Sequence, residues 1–295
     1  MKNNRKQSYI LRYFKIFWKQ NCCWFILLPC LLVAYYCTLY REPGLLKVVK
    51  WEFASPEIPG KLDGFRIALI ADIHANNHSI NLLNDAIEKI NSLHADLVLL
   101  AGDFVNGNGA GVNINHLVKA LKKLSAPCGV YGVPGNHDYR YGIASLKKNF
   151  ADTHVKLLFD QQTFIESAGG GVFNLIGLDY KDNPHERFDR SRSRNLRQKG
   201  MFNLFLTHTP EDFLYIDDDN VLVLAGHTHG GQLYIPGLGS VVNPPRYGRK
   251  FTYGVIQHNR KTMFISSGMG SAYTQGRMFM RPEIVIITLK SLHKK

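Results

Sequence analysis

The sequence predicts an α/β protein in which two packed β-sheets are flanked by helices, with one N-terminal transmembrane helix ahead of them. Three observations carry this expectation. An uncharged apolar stretch runs from Asn21 to Tyr40. Apolar segments then alternate with helical patterns from Phe65 to about residue 149. Beyond about residue 155, short apolar segments follow one another with little helical pattern between them.

The first 20 residues hold Lys2, Arg5, Lys6, Arg12, Lys15 and Lys19 and no acid. The stretch 21–40, NCCWFILLPCLLVAYYCTLY, follows without a charge. At ~1.5 Å per residue, ~20 residues cross ~30 Å of hydrocarbon. Trp18 and Trp24 lie near one end, and Tyr35, Tyr36 and Tyr40 near the other, where interfacial aromatics belong. No small-x-small cleavage site follows the apolar run, and no lipobox precedes Cys30 or Cys37, so an uncleaved anchor is expected. The basic residues ahead of it predict an inside N-terminus and a C-terminal domain outside.

Residues 41–63 read as a linker punctuated by Pro43, Gly44, Pro56, Pro59 and Gly60. A single domain is then expected over 64–290. Strands are predicted at FRIALIA (65–71), DLVLLAG (96–102) and GVYGVPG (129–135). Helical patterns follow each, through Ile80–Ile90, around Leu117–Leu124 and near 141–149. The later strands are VKLLF, TFIES, VFNLIG, FNLFLT, VLVLAG, TMFISS and EIVIITL. No internal repeat or low-complexity tract interrupts them.

Composition sets the limits. With 295 residues, 45% hydrophobic and 20% charged, the chain is neither wholly disordered nor a polytopic membrane protein. Of its five cysteines only Cys128 falls outside the apolar stretch, so the domain has no disulfide framework and no thiolate zinc site. The net charge of +13 favours anionic partners. One segment, RFDRSRSRNLRQK (187–199), concentrates Arg187, Arg190, Arg192, Arg194, Arg197 and Lys199 against Asp189. It reads either as a solvated basic loop or helix face, or as an element that contacts an anionic substrate or membrane.

The chemistry-bearing residues fall just past the ends of predicted strands. Asp72 and His74 follow FRIALIA, Asp103 follows DLVLLAG, and Asn136, His137 and Asp138 follow GVYGVPG. His208 follows FNLFLT, and His227 and His229 follow VLVLAG. Open α/β sheets bind ligands at the carboxyl ends of their strands. Singly, each piece has an ordinary reading as a turn or a helix cap. Together they supply imidazoles from His74, His208, His227 and His229, carboxylates from Asp72 and Asp103, and the Asn136 carboxamide. That is too many donors for one tetrahedral ion and suits two. A nitrogen and oxygen set without thiolate favours manganese, iron or zinc over calcium or copper(I). A metal pair ~3.5–4 Å apart is the usual arrangement for in-line phosphoryl displacement.

In this order, the ADIH, GD, GNHD, later His and GHTH motifs resemble the calcineurin-like metallophosphoesterase superfamily. The longer AGHTHGGQ string and the ending Arg281-Pro282-Glu283-Ile284 resemble its bacterial YaeI- and YkuE-type phosphodiesterase branch. The resemblance covers about residues 62–290. It implies a double β-sandwich flanked by helices and two divalent metal ions, manganese first. One ion would be held by Asp72, His74, Asp103 and His229, the other by Asp103, Asn136, His208 and His227. Asp103 would bridge with one oxygen on each ion. His137 would contact the phosphate and protonate the leaving oxygen, and Asp138 would orient its loop. The sequence departs from the GDxxDRG run of the protein phosphatases, with Asn106 and Gly107 in place of the Asp and Arg, which disfavours a protein-phosphatase role.

The expected reaction is hydrolysis of a phosphodiester or pyrophosphate bond in an anionic, lipid-linked substrate such as UDP-2,3-diacylglucosamine. Arg190, Arg192, Arg194 and Arg197 are the expected substrate contacts, and a bacterial inner membrane the expected location. The alternative substrates are cell-envelope polymers or small soluble phosphate esters. A non-catalytic module that docks on anionic surfaces is disfavoured by the complete ligand set. No nucleic-acid module is recognisable.

Overall fold

The computed structural model describes residue 12 and residues 27–76, 79–107, 114–187, 189–217, 219–240, 249–271 and 276–293. Apart from Arg12, the expected basic segment lies outside the described residues, as do positions 21–26 of the expected anchor. Residues 27–36 are α-helical and run into a π-helical turn, Cys37–Arg41. Among the described residues no helix is long and apolar enough to cross a membrane.

The linker expected at 41–63 is corrected. Lys47–Ser55 forms a strand, β1, that pairs in parallel with the last strand of the domain, β14 (Glu283–Ser291). The glycines and prolines at 43–44 and 56–60 bound this strand instead of marking a flexible connection. Trp51 and Phe53 hold it by packing against the core between the sheets. The folded domain therefore starts about 20 residues earlier than the motifs suggest.

The strands β2 (Arg66–Ile70), β3 (Leu97–Ala101), β4 (Val130–Val133) and β5 (Val155–Leu157) complete the first sheet, in the order β1-β14-β2-β3-β4-β5. The second sheet takes β6 (Gln161–Glu166), β7 (Val172–Gly177), β8 (Asn203–Leu206) and β9 (Leu222–Ala225). A hairpin, β10 (Tyr234–Ile235) with β11 (Gly239–Ser240), stands apart. β12 (Gly254–His258) and β13 (Lys261–Ile265) finish the second sheet in the order β12-β13-β9-β8-β7-β6. β2 through β5 pair in parallel, as do β7, β8, β9 and β13.

Alternation along each strand decides the layering. Ile67, Leu69, Leu97 and Leu99 point inward, against Leu175, Leu204, Leu206, Leu222 and Leu224 of the other sheet. Ala68, Ile70, Val98 and Leu100 point outward, to the helices Ser79–Ser92, Ile114–Leu121 and Ile143–Phe150. Phe205, Val223 and Ile265 cover the second sheet's outer face with Phe213 and Ile216. With both faces buried, the central strands read as unbroken apolar runs. Each such Leu, Ile or Phe contributes ~1.5–3 kcal/mol of burial. The result is the expected two-sheet sandwich flanked by helices. The carboxyl ends of β2, β3, β4, β8 and β9 lie along one edge of it.

Candidate metal centre

The chain turns sharply as it leaves these strands. Asp72 (φ 52°), His74 (43°), Asp103 (53°), His227 (75°) and His229 (52°) all lie in the left-handed region. A non-glycine residue there costs ~1–3 kcal/mol, and such strain collects at functional sites because the surroundings must enforce it. The enforcing bonds are short. Asp72 N–H donates to Gly102 O (3.0 Å), His74 N–H to Asp103 O (2.9 Å) and Gly270 N–H to Asp72 O (2.6 Å). Glycine is required where the loops meet. A Cβ on Gly135 would stand 2.2 Å from Asp103 Oδ1, and one on Gly102 would stand 2.8 Å from the His208 ring.

All seven expected ligands come together in one connected chain of contacts. Asp72 Oδ1 lies 3.9 Å from His229 Nε2, which lies 3.2 Å from His74 Nε2. His74 Nε2 is 3.5 Å from Asp103 Oδ2, and the same oxygen is 3.3 Å from His208 Nε2. His208 Nε2 is in turn 3.1 Å from Asn136 Oδ1 and 3.0 Å from His227 Nδ1. Two groups able to hold a metal ion emerge, Asp72-His74-His229 and Asp103-His208-His227, and a third joins His74, Asp103 and His137. Asp103 Oδ1 also accepts the His137 backbone N–H at 2.8 Å, while Oδ2 lies close to both His74 and His208.

The donor atoms fit cations. His208 Nδ1 donates to the Ala101 carbonyl (2.8 Å) and His229 Nδ1 to the Gly270 carbonyl (3.2 Å), so each ring, when neutral, aims an Nε2 lone pair inward. His74 Nδ1 is likewise met by Asn106 Oδ1 at 2.9 Å. Fixing the second nitrogen in this way is how ligating histidines are oriented. Lone pairs of buried acceptors then face one another, which only protons or cations relieve.

The charges show the same demand. Burial, together with Asp103, pushes Asp72 up to about 7. Burial pushes His74 down to about 4 and His229 well below its usual value. Burial opposes protonation of His208 too. The Asp103 carboxylate, its hydrogen bond and Asp72 outweigh it and raise His208 to about 10. Burial also opposes ionisation of Asp103, yet His208, His74 and His137 hold it ionised.

The surrounding residues settle several roles. Asp138 accepts from Gly135 N–H (2.8 Å) and Phe104 N–H (2.9 Å), so it ties the GNHD loop to the GD loop. His137 receives the Gly107 N–H on Nδ1 at 3.1 Å. In this arrangement the neutral ring carries its proton on Nε2. An imidazolium would bring a second hydrogen against the Gly107 N–H. The geometry therefore favours His137 as a hydrogen-bond donor over its expected role as proton donor.

A model of the calcineurin-like phosphoesterase family matches residues 65–231. The chain belongs to this family. It is 29% identical to the uncharacterized metallophosphoesterase YkuE of Bacillus subtilis, over 85% of this chain and 88% of that one. It is 26% identical to the phosphodiesterase YaeI of Escherichia coli, over 85% and 90% of the two chains. Its identity to the UDP-2,3-diacylglucosamine pyrophosphatase LpxG of Chlamydia muridarum is 24%, over 84% and 90%. The protein is a metal-dependent phosphoester hydrolase.

In this phosphoesterase the expected substrate-binding arginines have partners within the domain. Arg190–Leu196 is a short helix laid on the second sheet's side of the domain. Arg192 binds Asp160 through Nη2 (2.7 Å) and Nε (3.2 Å) and donates to the Asp179 carbonyl (2.5 Å). Arg190 and Arg194 reach Asp217, and Arg197 donates to the Asp217 carbonyl. These partners offset part of the segment's charge, which a charge count cannot reveal.

Two contributors escaped sequence reasoning. Tyr180 stands 6.3 Å, ring to ring, from His208 and 5.9 Å from Tyr139. Arg277 is wholly buried and donates to the carbonyls of Ser267, Met280, Gly268 and Gly270, so it braces the carbonyl that orients His229. An arginine set among Met278, Phe279 and Met280 was the available signal.

Proposed function

We propose that this chain is a two-metal phosphodiesterase or pyrophosphatase acting on a lipid-linked phosphate, with UDP-2,3-diacylglucosamine as the sharpest candidate substrate. Asp72, His74, Asp103 and His229 would hold one ion, and Asp103, Asn136, His208 and His227 the other. Manganese is the first choice and iron or zinc the alternatives. The observation that carries the reading is Asp103 Oδ2, 3.5 Å from His74 Nε2 and 3.3 Å from His208 Nε2, a single anionic oxygen shared by two ligand groups. Divalent ions there supply Lewis acidity toward phosphoryl oxygens and acidify water. His137 donates its Nε2–H to a phosphoryl or leaving oxygen. Asp103 Oδ1, by accepting the His137 N–H, fixes that ring relative to the ligands.

Membrane attachment belongs to the same reading. It rests on the charge-free stretch 21–40 and on the exposed Leu28, Leu31, Leu32 and Val33 along its described part. The lipid substrate rests on the similarity to LpxG together with that apolar stretch. A second reading, hydrolysis of cell-envelope phosphodiesters, rests on the six basic residues before the stretch, which favour a domain outside the inner membrane. The test is purified full-length protein with manganese, assayed in detergent against UDP-2,3-diacylglucosamine and simple aryl phosphodiesters side by side. Release of a lipid phosphate supports the first reading. Cleavage of the aryl esters alone favours the second, and cleavage of neither overturns both.

A further inference from the structure

A cavity of about 460 Å³ lies beside the metal centre, lined by Gly230, Tyr234, Gly239, Ser240, Thr252, Tyr253 and Met280. Gly230 directly follows the expected ligand His229. A Cβ on Gly230 would stand 2.6 Å from Met280 Sδ, so Met280 packs against the turn that carries that ligand. The cavity's apolar surface comes from Met280, the two tyrosine rings and the glycines. A volume of this size matches part of a small ligand and far exceeds one water.

The residues next to this lining are apolar and exposed. Leu238, beside Gly239 at the β10–β11 turn, is 57% exposed, and Phe279, beside Met280, is 61% exposed. Phe279 also holds a left-handed φ of 56°, which an aromatic residue adopts only under constraint. The segment bearing it is tied to the apolar N-terminal helix: Arg277 N–H donates to Thr38 O at 2.8 Å, and Arg281 Nε donates to Leu45 O at 2.9 Å. The exposed apolar tips and the end of the apolar stretch thus belong to one connected part of the molecule.

We infer that this cavity binds an acyl chain of the substrate, entering between Leu238 and Phe279. This rests on the phosphodiesterase reading for the reaction, but chain binding can be read without turnover. The probes are p-nitrophenyl phosphodiesters carrying acyl chains of increasing length, kept below their micellar concentrations. Matching acylated phosphonates, whose P–C bond does not hydrolyse, are titrated by calorimetry into full-length, manganese-loaded protein. Affinity should rise by about fourfold per methylene until the cavity is filled.

Met280→Trp, which fills the space, and Phe279→Asp, at the exposed rim, should each flatten that ladder. Phe164→Asp, equally exposed on β6 of the second sheet, should leave it intact. Affinity independent of chain length in the wild type would overturn the inference. So would a ladder unchanged in both Met280→Trp and Phe279→Asp. A phosphonate ladder without hydrolysis of any diester would leave the acyl site standing and defeat the phosphodiesterase reading instead.

Discussion

His74 Nε2 and His229 Nε2 face each other across 3.2 Å, although the two residues are 155 positions apart in the chain. Each ring has its other nitrogen on a carbonyl oxygen, of Asn106 for His74 and of Gly270 for His229. Both are buried and both resist protonation, because burial penalises the charged ring. Two neutral imidazoles with converging lone pairs repel unless a cation lies between them. The fold holds them there at a cost in backbone strain, so this pair defines the metal centre more sharply than any motif does.

Asp103→Asn tests the shared oxygen. An amide keeps the shape but loses the charge that faces both His74 and His208. Metal analysis should find both ions poorly retained, and turnover should fall by orders of magnitude. Two ions bound with normal turnover would exclude a bridging role.

His137→Ala should retain the metals and slow turnover by ~10²–10³-fold, the usual cost of losing one hydrogen-bond donor to a developing oxyanion. Gly107 N–H on Nδ1 makes the ring a hydrogen-bond donor through Nε2. The loss should therefore be similar for aryl diesters with strongly and weakly basic leaving groups. A loss that shrinks steeply for the better leaving group would restore His137 as the proton donor.

The arginine segment should separate by burial. Arg192→Gln breaks charged hydrogen bonds to Asp160 and the bond to the Asp179 carbonyl, and should cost about 1–3 kcal/mol in denaturant unfolding. Arg190→Gln and Arg194→Gln remove only exposed pairs with Asp217 and should leave stability unchanged. None of the three should raise KM for a soluble diester. A severalfold rise in KM would return the segment to substrate binding.

Truncation locates the domain boundary. Protein starting at residue 45 keeps β1, whereas protein starting at residue 64 loses it and leaves β14 as an open edge. An unprotected apolar edge strand invites association. The shorter chain should aggregate or unfold at lower temperature. Equal melting temperatures and monodispersity would show β1 to be dispensable.

Metal removal should make stability depend on alkaline pH. In the metal-free cluster His208 is raised from the usual 6.5 to about 10, so the folded state holds a proton that the unfolded chain releases. That stabilisation is complete below about pH 6.5 and disappears as pH rises toward 10. Asp138, raised by burial and Asp103 to about 8, works in the same direction over the lower part of that range. Chelated protein should therefore lose melting temperature steadily from pH 7 to 10. Metal-loaded protein should lose less, because its ligands are already deprotonated. Parallel pH curves would contradict this account of the cluster.

The sequence by itself determined the class of fold and the membership of the site. Unbroken apolar runs such as Leu97–Ala101, short, bounded by turn residues and alternating with helical patterns, read as strands buried on both faces, and polar residues just past the ends of parallel strands gather at one edge. For that reason Asp72, His74, Asp103, Asn136, His208, His227 and His229 were all legible from order and spacing. β1 was not, although Lys50, Trp51, Glu52 and Phe53 alternate as a half-buried strand does, because the glycines and prolines around it read as a linker and its pairing partner lies at the other end of the chain. The fate of the arginines was not legible either, since Asp160 and Asp217 come near them only once the second sheet has folded. Tertiary structure alone decided that Asp103 shares one oxygen, that His137 faces a backbone N–H, and that Arg277 lies beneath His229. Each of these depends on distances of about 3 Å between loops far apart in sequence. Periodicity reports which face a residue occupies and carries no information about those distances.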